Sequence, residues 1–178
     1  MRMKNKIALV TGAAQGLSAA IARRFADEGA TVIVCDMNAE AGNATVAAIE
    51  GLGGKACFQL LDVTQEQSWI AATANVVARF GRLDVLVNNA GINIREPIEE
   101  MKEENLDAML AVNVKGPFLG IKHAIPIMRR GGGGSRGSPP GGRAIPARRT
   151  WRNISGSAAA ARASRWGAAR LATRAARP

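Results

Sequence analysis

Short apolar runs alternate along this chain with longer stretches in which apolar positions recur every three or four residues. The first run, Lys6 to Val10, closes at Thr11-Gly12. Gly16 to Glu28 then spaces Leu17, Ala20, Ile21 and Phe25 at helical intervals and stops at Gly29. Thr31 to Cys35 predicts a second strand, Asn38 caps a helix reaching about Leu52, Gly53-Gly54 ends it, and Ala56 to Leu61 predicts a third strand. A helix over Gln65 to Phe80 ends at Gly81, and Leu83 to Val87 predicts a fourth strand. Glu103 to about Arg130 holds one or two further helices, with Leu110, Val114, Phe118, Ile121 and Ile125 at steps of three and four. The pattern is βαβαβαβα. Runs this apolar suit strands buried on both faces, and right-handed crossovers wind them into a doubly wound parallel α/β sheet of about four strands.

At Gly131 to Gly134 the periodicity stops, and Ser-Arg-Gly-Ser-Pro-Pro-Gly-Gly follows, which suits neither a helix nor a central strand. Charge divides at the same point. Acidic and basic residues balance through residue 130, so the net charge of +10 resides in ten arginines and no acid beyond it. The later segment carries Ile145, Ile154, Leu171, Trp151 and Trp166 as its large apolar side chains amid Gly, Ala, Pro, Ser and Arg. Ordering its backbone would cost about 1–2 kcal/mol per residue, more than so little apolar surface offsets. The expectation is a neutral domain over residues 1–130 and a low-complexity tail over 131–178, disordered or fitfully helical between Ser157 and Arg177.

Cys35 and Cys57 fall inside predicted strands without metal-ligand spacing and read as small buried hydrophobes of a reducing compartment. Met1 to Val10 leads straight into a glycine turn and reads as a first strand, not a leader peptide. No run of about 18 apolar residues occurs, so no membrane span and a cytoplasmic location are expected.

Candidate chemistry gathers where strands end. Thr11-Gly12-Ala13-Ala14-Gln15-Gly16-Leu17-Ser18 joins the first strand to the first helix, and such glycines let a backbone approach a pyrophosphate resting on helix N–H groups. Asp36 ends the second strand, where a carboxylate can accept the hydroxyls of an adenosine ribose. Leu61-Asp62-Val63 ends the third and Asn88-Asn89-Ala90-Gly91 the fourth. Bland readings stand beside these: Asp62 as the cap of the next helix, Asn88 and Asn89 as turn residues. Asn113 lies inside a helical pattern, where asparagine is a poor fit and marks a bend or a site. His123, the single histidine, reads as packed or surface-bound, and Glu96, Glu99, Glu100, Glu103 and Glu104 read as a solvated loop and helix start, with no metal expected.

These motifs, in this order and spacing, resemble the short-chain dehydrogenase/reductase family over residues 1 to about 130. The resemblance implies strand order 3-2-1-4 and an NAD-dependent oxidoreductase that interconverts a secondary alcohol and a ketone. It places Gly12, Gln15, Gly16 and Leu17 along the pyrophosphate, Asp36 and Met37 at the adenosine ribose, Asp62 and Val63 at the adenine, and Asn89, Ala90 and Gly91 on the nicotinamide side. Asn113 becomes the asparagine of the catalytic tetrad. Asp36 would repel the 2′-phosphate of NADP and no Arg or Lys adjoins it, so NAD is the expected cofactor.

Two departures stand out. Ser18 replaces the family's third glycine, and weaker dinucleotide affinity is the expectation. Beyond Ser135, where the family supplies a catalytic Ser and then Tyr-x-x-x-Lys, the corresponding stretch, about Gly142 to Ala161, offers Ser155 and Ser157 but no Tyr and no Lys, and the chain has no Tyr anywhere. A chain without turnover is expected, and the abrupt change in composition suggests a reading-frame slip near the glycine run. The family forms homo-oligomers, which the altered half puts in doubt, and Leu83 to Val87 would remain as a flat apolar edge open to association. A dinucleotide-binding protein without chemistry is one alternative. Another is nucleic-acid binding by the arginine-rich tail, against which its lack of lysines and of an amphipathic face counts.

Overall fold

A computed structural model of the chain describes residues 1–131. The expected alternation is present: β1 (Ile7–Thr11), α1 (Gly16–Asp27), β2 (Thr31–Asp36), α2 (Ala39–Glu50), β3 (Lys55–Leu60), α3 (Glu66–Phe80), β4 (Val85–Val87), α4 (Glu103–Leu110), a π-helical turn (Ala111–Lys115) and α5 (Gly116–Arg130). The expected strand and helix boundaries shift by one or two residues. All four strands are parallel, in the order β3-β2-β1-β4. Val10 of the central β1 lies opposite Val34 on one side and Val87 on the other.

Alternate residues of each strand feed two cores. Ala8, Val10, Val32 and Val34 pack under α1 and α2 with Ala22 and Ile49, while Leu9, Ile33 and Leu61 pack under α3 and α5 with Trp69, Leu119 and Ile127. The chain therefore steps from β1 to β3 along one face and returns by α3 over the other. Trp69 is fully buried, and its indole Nε1 donates to Val63 O at 3.0 Å, which satisfies the one polar atom it takes inside. Asn38 caps α2 as expected, its side chain accepting from Ala41 N at 3.0 Å. Gly81 ends α3 in the left-handed conformation.

One expectation needs correction. The fourth strand pairs over Val85–Val87 alone, not Leu83 to Val87, because Asp84 N donates to Ile7 O and the Asp84 carboxylate accepts from Ile7 N, closing the ladder at that end. The edge is thus short, and Leu83, Leu86 and Val87 are buried. Between Glu103 and Arg130 no loop separates the helices. They join through the π-helical turn, with Gly116 N donating five residues back to Ala111 O. Pro117 has no N–H to offer the carbonyl four residues earlier, that of Asn113, so the α-helical ladder must skip there.

Among the described residues no helix is long and apolar enough to cross a membrane. The expected disorder, helical stretch and nucleic-acid binding of the tail lie outside the described residues.

Candidate functional site

Since all strands run in one direction, their carboxyl ends meet along one edge of the sheet. The winding direction reverses between β1 and β4, and loops that part in opposite directions leave a crevice there. A pocket of about 440 Å³ opens at this place. Gly12, Gln15, Leu17, Asp36, Met37, Asp62, Val63, Asn89, Ala90 and Gly91 all line it. Gly16, named with them from sequence, is not on the wall. It turns the chain into α1 at φ +61°. Gly12 has a stricter reason: at φ +65°, a Cβ there would stand 2.9 Å from the Ala90 Cα.

Side chains at the strand ends tie the pocket's walls to one another. The Thr11 hydroxyl donates to Val87 O at 3.2 Å and accepts from Asn89 N and Ala90 N at 3.0 and 3.1 Å, fastening the end of β4 to the end of β1. Asp36 accepts from Ala14 N at 3.0 Å through one oxygen and from Asn38 N at 3.1 Å through the other. Each oxygen keeps a further lone pair, so the carboxylate is fixed in place with acceptor capacity to spare. Asp62 accepts from the backbone N–H and the hydroxyl of Thr64 at 2.9 and 2.7 Å; Gln65 and not Asp62 takes the cap position of α3, contrary to the helix-cap reading, and Asp62 also lines the pocket.

Asn113 sits inside the π-helical turn, and its side chain does not reach the pocket wall. Its carboxamide instead clamps Ile92, donating to Ile92 O at 2.8 Å and accepting from Ile92 N at 3.0 Å. That clamp holds the segment after Gly91 in place, and Ile92 and Val112 both face the pocket. Ser18 is 2% exposed, and its hydroxyl accepts from Asn89 Nδ2. The remaining side-chain atom of that asparagine, Oδ1, is buried without a hydrogen-bond partner.

Among the described residues the wall carries two carboxylates and no Lys, Arg or His. An anion bound here would rest on backbone N–H groups at the start of α1, which are uncommitted at a helix N-terminus. A dinucleotide fits these features: a glycine turn open to close approach, a carboxylate poised for a diol, and a buried acceptor in want of a donor. By contrast, burial pushes the Cys35 thiol well above its ordinary range and raises that of Cys57, so neither is a ready nucleophile.

The remaining sequence candidates lie elsewhere. His123 Nε2 and Lys122 Nζ both meet Glu66 Oε1, at 2.9 and 2.6 Å, joining α5 to α3 away from the pocket. Glu96 accepts from the Asn105 side chain. Among the described residues no group of three His, Cys, Asp or Glu could hold a metal ion. Sequence reasoning missed Thr64, Ile92 and Val112 as wall residues, and the fastening role of Thr11. Thr11 carried a signal, as a hydroxyl immediately before the glycine turn. Ile92 and Val112 carried none: Ile92 is held by the clamp of Asn113, and Val112 is presented by the π-helical turn.

Comparison with known proteins bears on the same stretch. A sequence model described as short chain dehydrogenase matches residues 6–135. A 2,5-dichloro-2,5-cyclohexadiene-1,4-diol dehydrogenase of Sphingobium indicum is 48% identical over 134 residues, covering 75% of this chain and 54% of that protein. Cyclopentanol dehydrogenase of Comamonas testosteroni is 43% identical over 129 residues, 72% of this chain and 52% of its own length. Among solved structures, a hydroxysteroid dehydrogenase from Escherichia coli superposes with a TM-score of 0.70 at 36% identity, over 74% of this chain and 55% of that one. A metagenomic short-chain oxidoreductase in complex with NADP gives 0.68 at 37% identity, over 71% and 58%. The chain spans about half the length of the relatives it matches. With its parallel sheet, its strand order and a family match across most of its length, the chain belongs to the short-chain dehydrogenase family.

Proposed function

We propose that residues 1–131 hold a nicotinamide dinucleotide, NAD(H) in preference to NADP(H), across the carboxyl ends of β2, β1 and β4. The observation that carries this reading is the convergence of residues from all four strand ends on one pocket, with Asp36 at one extreme and Asn89 to Gly91 at the other. Asp36 would receive the adenosine ribose, Met37, Asp62 and Val63 would flank the adenine, Gly12, Gln15, Gly16 and Leu17 would border the pyrophosphate, and Ala90 and Gly91 the nicotinamide ribose. The preference for NAD(H) follows from charge. A 2′-phosphate beside Asp36 would meet a carboxylate and, among the described residues, no compensating cation on the wall.

When bound, such a cofactor supplies or accepts a hydride, and the relatives named as a cyclopentanol dehydrogenase and a cyclohexadiene-diol dehydrogenase support secondary alcohols and ketones as the substrate class. Moving the accompanying proton needs an acid or base at the substrate oxygen. In this chain Asn113 would serve as a positioning residue through its clamp on Ile92, but no tyrosine exists to exchange the proton and no lysine follows Lys122. We read the chain as binding the dinucleotide without turning over, and the sequence beyond the glycine run as the product of a frame slip. General acid–base catalysis is worth about 10²- to 10⁴-fold, and a missing pair that acts together forfeits at least that much.

Isothermal titration of the full chain with NADH and NADPH tests the reading, with NADH expected to bind about tenfold tighter or more. Absence of NADH binding, or tighter NADPH binding, would overturn it. A steady-state assay with cyclopentanol and NAD should show no turnover above background. Sequencing of the gene across the glycine codons should expose a strand followed by Tyr-x-x-x-Lys in another frame, and its absence from every frame refutes the slip.

A further inference from the structure

Ser18 stands where the family's turn carries its third glycine, and sequence alone casts it as an obstacle. In the fold it is nearly fully buried, and its hydroxyl accepts from Asn89 Nδ2 at 2.5 Å. That bond joins the first turn of α1 to the segment after β4, two walls of the same pocket. Asn89 Oδ1 has no partner, so the Ser18 bond is what holds this carboxamide. Leaving such an acceptor buried and unpaired is unfavourable, so the orientation is imposed by a contact outside the asparagine.

Resting on the dinucleotide reading above, we propose that Ser18 is a positioning residue for the β4 end of the pocket. Its hydroxyl draws the Asn89 side chain against α1 and so fixes the wall formed by Asn89, Ala90 and Gly91. The Asp36 end does not depend on it. That carboxylate lies beyond β1 and has its own anchors, Ala14 N and Asn38 N. Loss of the serine hydroxyl should therefore weaken a ligand that spans both ends and spare one confined to the Asp36 end.

The test uses the full chain as wild type, Ser18→Ala, Ser18→Gly, Asn89→Ala and the Ser18→Ala/Asn89→Ala double variant, each titrated with NADH and with AMP and followed through thermal unfolding. Ser18→Ala is expected to lower NADH affinity about three- to tenfold, the range one hydrogen bond supplies, with AMP affinity held within about twofold. Ser18→Gly should behave as Ser18→Ala does, and the double variant should be no weaker than the weaker single one. Unchanged or tighter NADH binding by Ser18→Ala or Ser18→Gly overturns the proposal, because the serine would then be idle or crowding. So does an equal loss of NADH and AMP, which would make it a prop for the whole turn, or losses that add in the double variant. Wild type that binds neither nucleotide removes the dinucleotide reading itself, whereas normal wild-type binding with an unmoved Ser18→Ala removes this inference alone.

Discussion

The two ends of the sheet handle polar groups in opposite ways. At the amino ends, acids are matched by cations of the same chain. The Asp84 carboxylate accepts from Ile7 N at 2.9 Å and Arg82 Nε at 3.0 Å with Lys6 Nζ at 3.5 Å, and Glu28 takes Arg2 N at 2.8 Å and the Arg24 guanidinium at 2.6 Å. At the carboxyl ends, Asp36 and Asp62 bond to backbone N–H groups and a hydroxyl, and among the described residues no cationic side chain lines the pocket. The first arrangement spends its bonding capacity internally and serves stability. The second leaves lone pairs, open N–H groups and a buried acceptor that a ligand can complete. Substitutions at the two ends should therefore separate stability from binding.

The hardest blow to that separation falls at Gly12, where the pocket and the fold share one backbone contact. Gly12→Ala would force a side chain into a left-handed conformation and against the Ala90 backbone, with a loss of about 2–4 kcal/mol in unfolding free energy. Urea denaturation should show it, together with the loss of NADH binding. A stable Gly12→Ala chain would mean that the turn and the β4 end move apart freely. Asp36→Ala sharpens the contrast from the binding side. Hydrogen bonds to a charged group are worth about 1.5–3 kcal/mol, so NADH affinity should fall about ten- to a hundredfold, and the preference over NADPH should shrink or reverse. Parallel titrations check both. An intact NADH preference in Asp36→Ala would place the ribose elsewhere.

How much of this could be read in advance follows from which contacts are local. Asp36, Asp62 and the Asn88-Asn89-Ala90-Gly91 segment were legible because each directly ends an apolar run, and parallel strands bring all such ends to one edge. The order of the strands was not in the periodicity; it came with the family resemblance. The π-helical turn was hidden because Leu110, Val114 and Phe118 keep an ordinary four-residue step through it. The one written sign was Pro117, four residues after Asn113, which removes the N–H that an α-helix would need there. The contact that Ser18 makes was hidden for a related reason. Its neighbour in sequence is a phosphate-binding turn, but its partner is 71 residues away, and a residue's effect on affinity depends on the partner it finds.

Asp84 offers the converse test, a change at the amino end that should cost stability and leave the pocket untouched. Burial by itself would push this carboxyl up, but the hydrogen bonds from Arg82 and Ile7 N, with the charges of Lys6 and Arg82, outweigh it and hold the group below its ordinary range. A carboxylate depressed in the folded state stabilises above the pKa of the unfolded chain, about 4, and that contribution fades as pH falls through the folded value. Asp84→Asn should therefore unfold more easily than wild type at neutral pH, by about 1–2 kcal/mol, since Arg82 and Lys6 reach it from partly exposed positions where solvent screens them. The gap should narrow below about pH 4 as the wild-type carboxyl takes up its proton. NADH affinity at neutral pH should match wild type. A gap that stays constant from pH 7 down to acid would show that the ion pairs contribute nothing, and that shape at the Ile7–Asp84 junction is what secures β4 to β1.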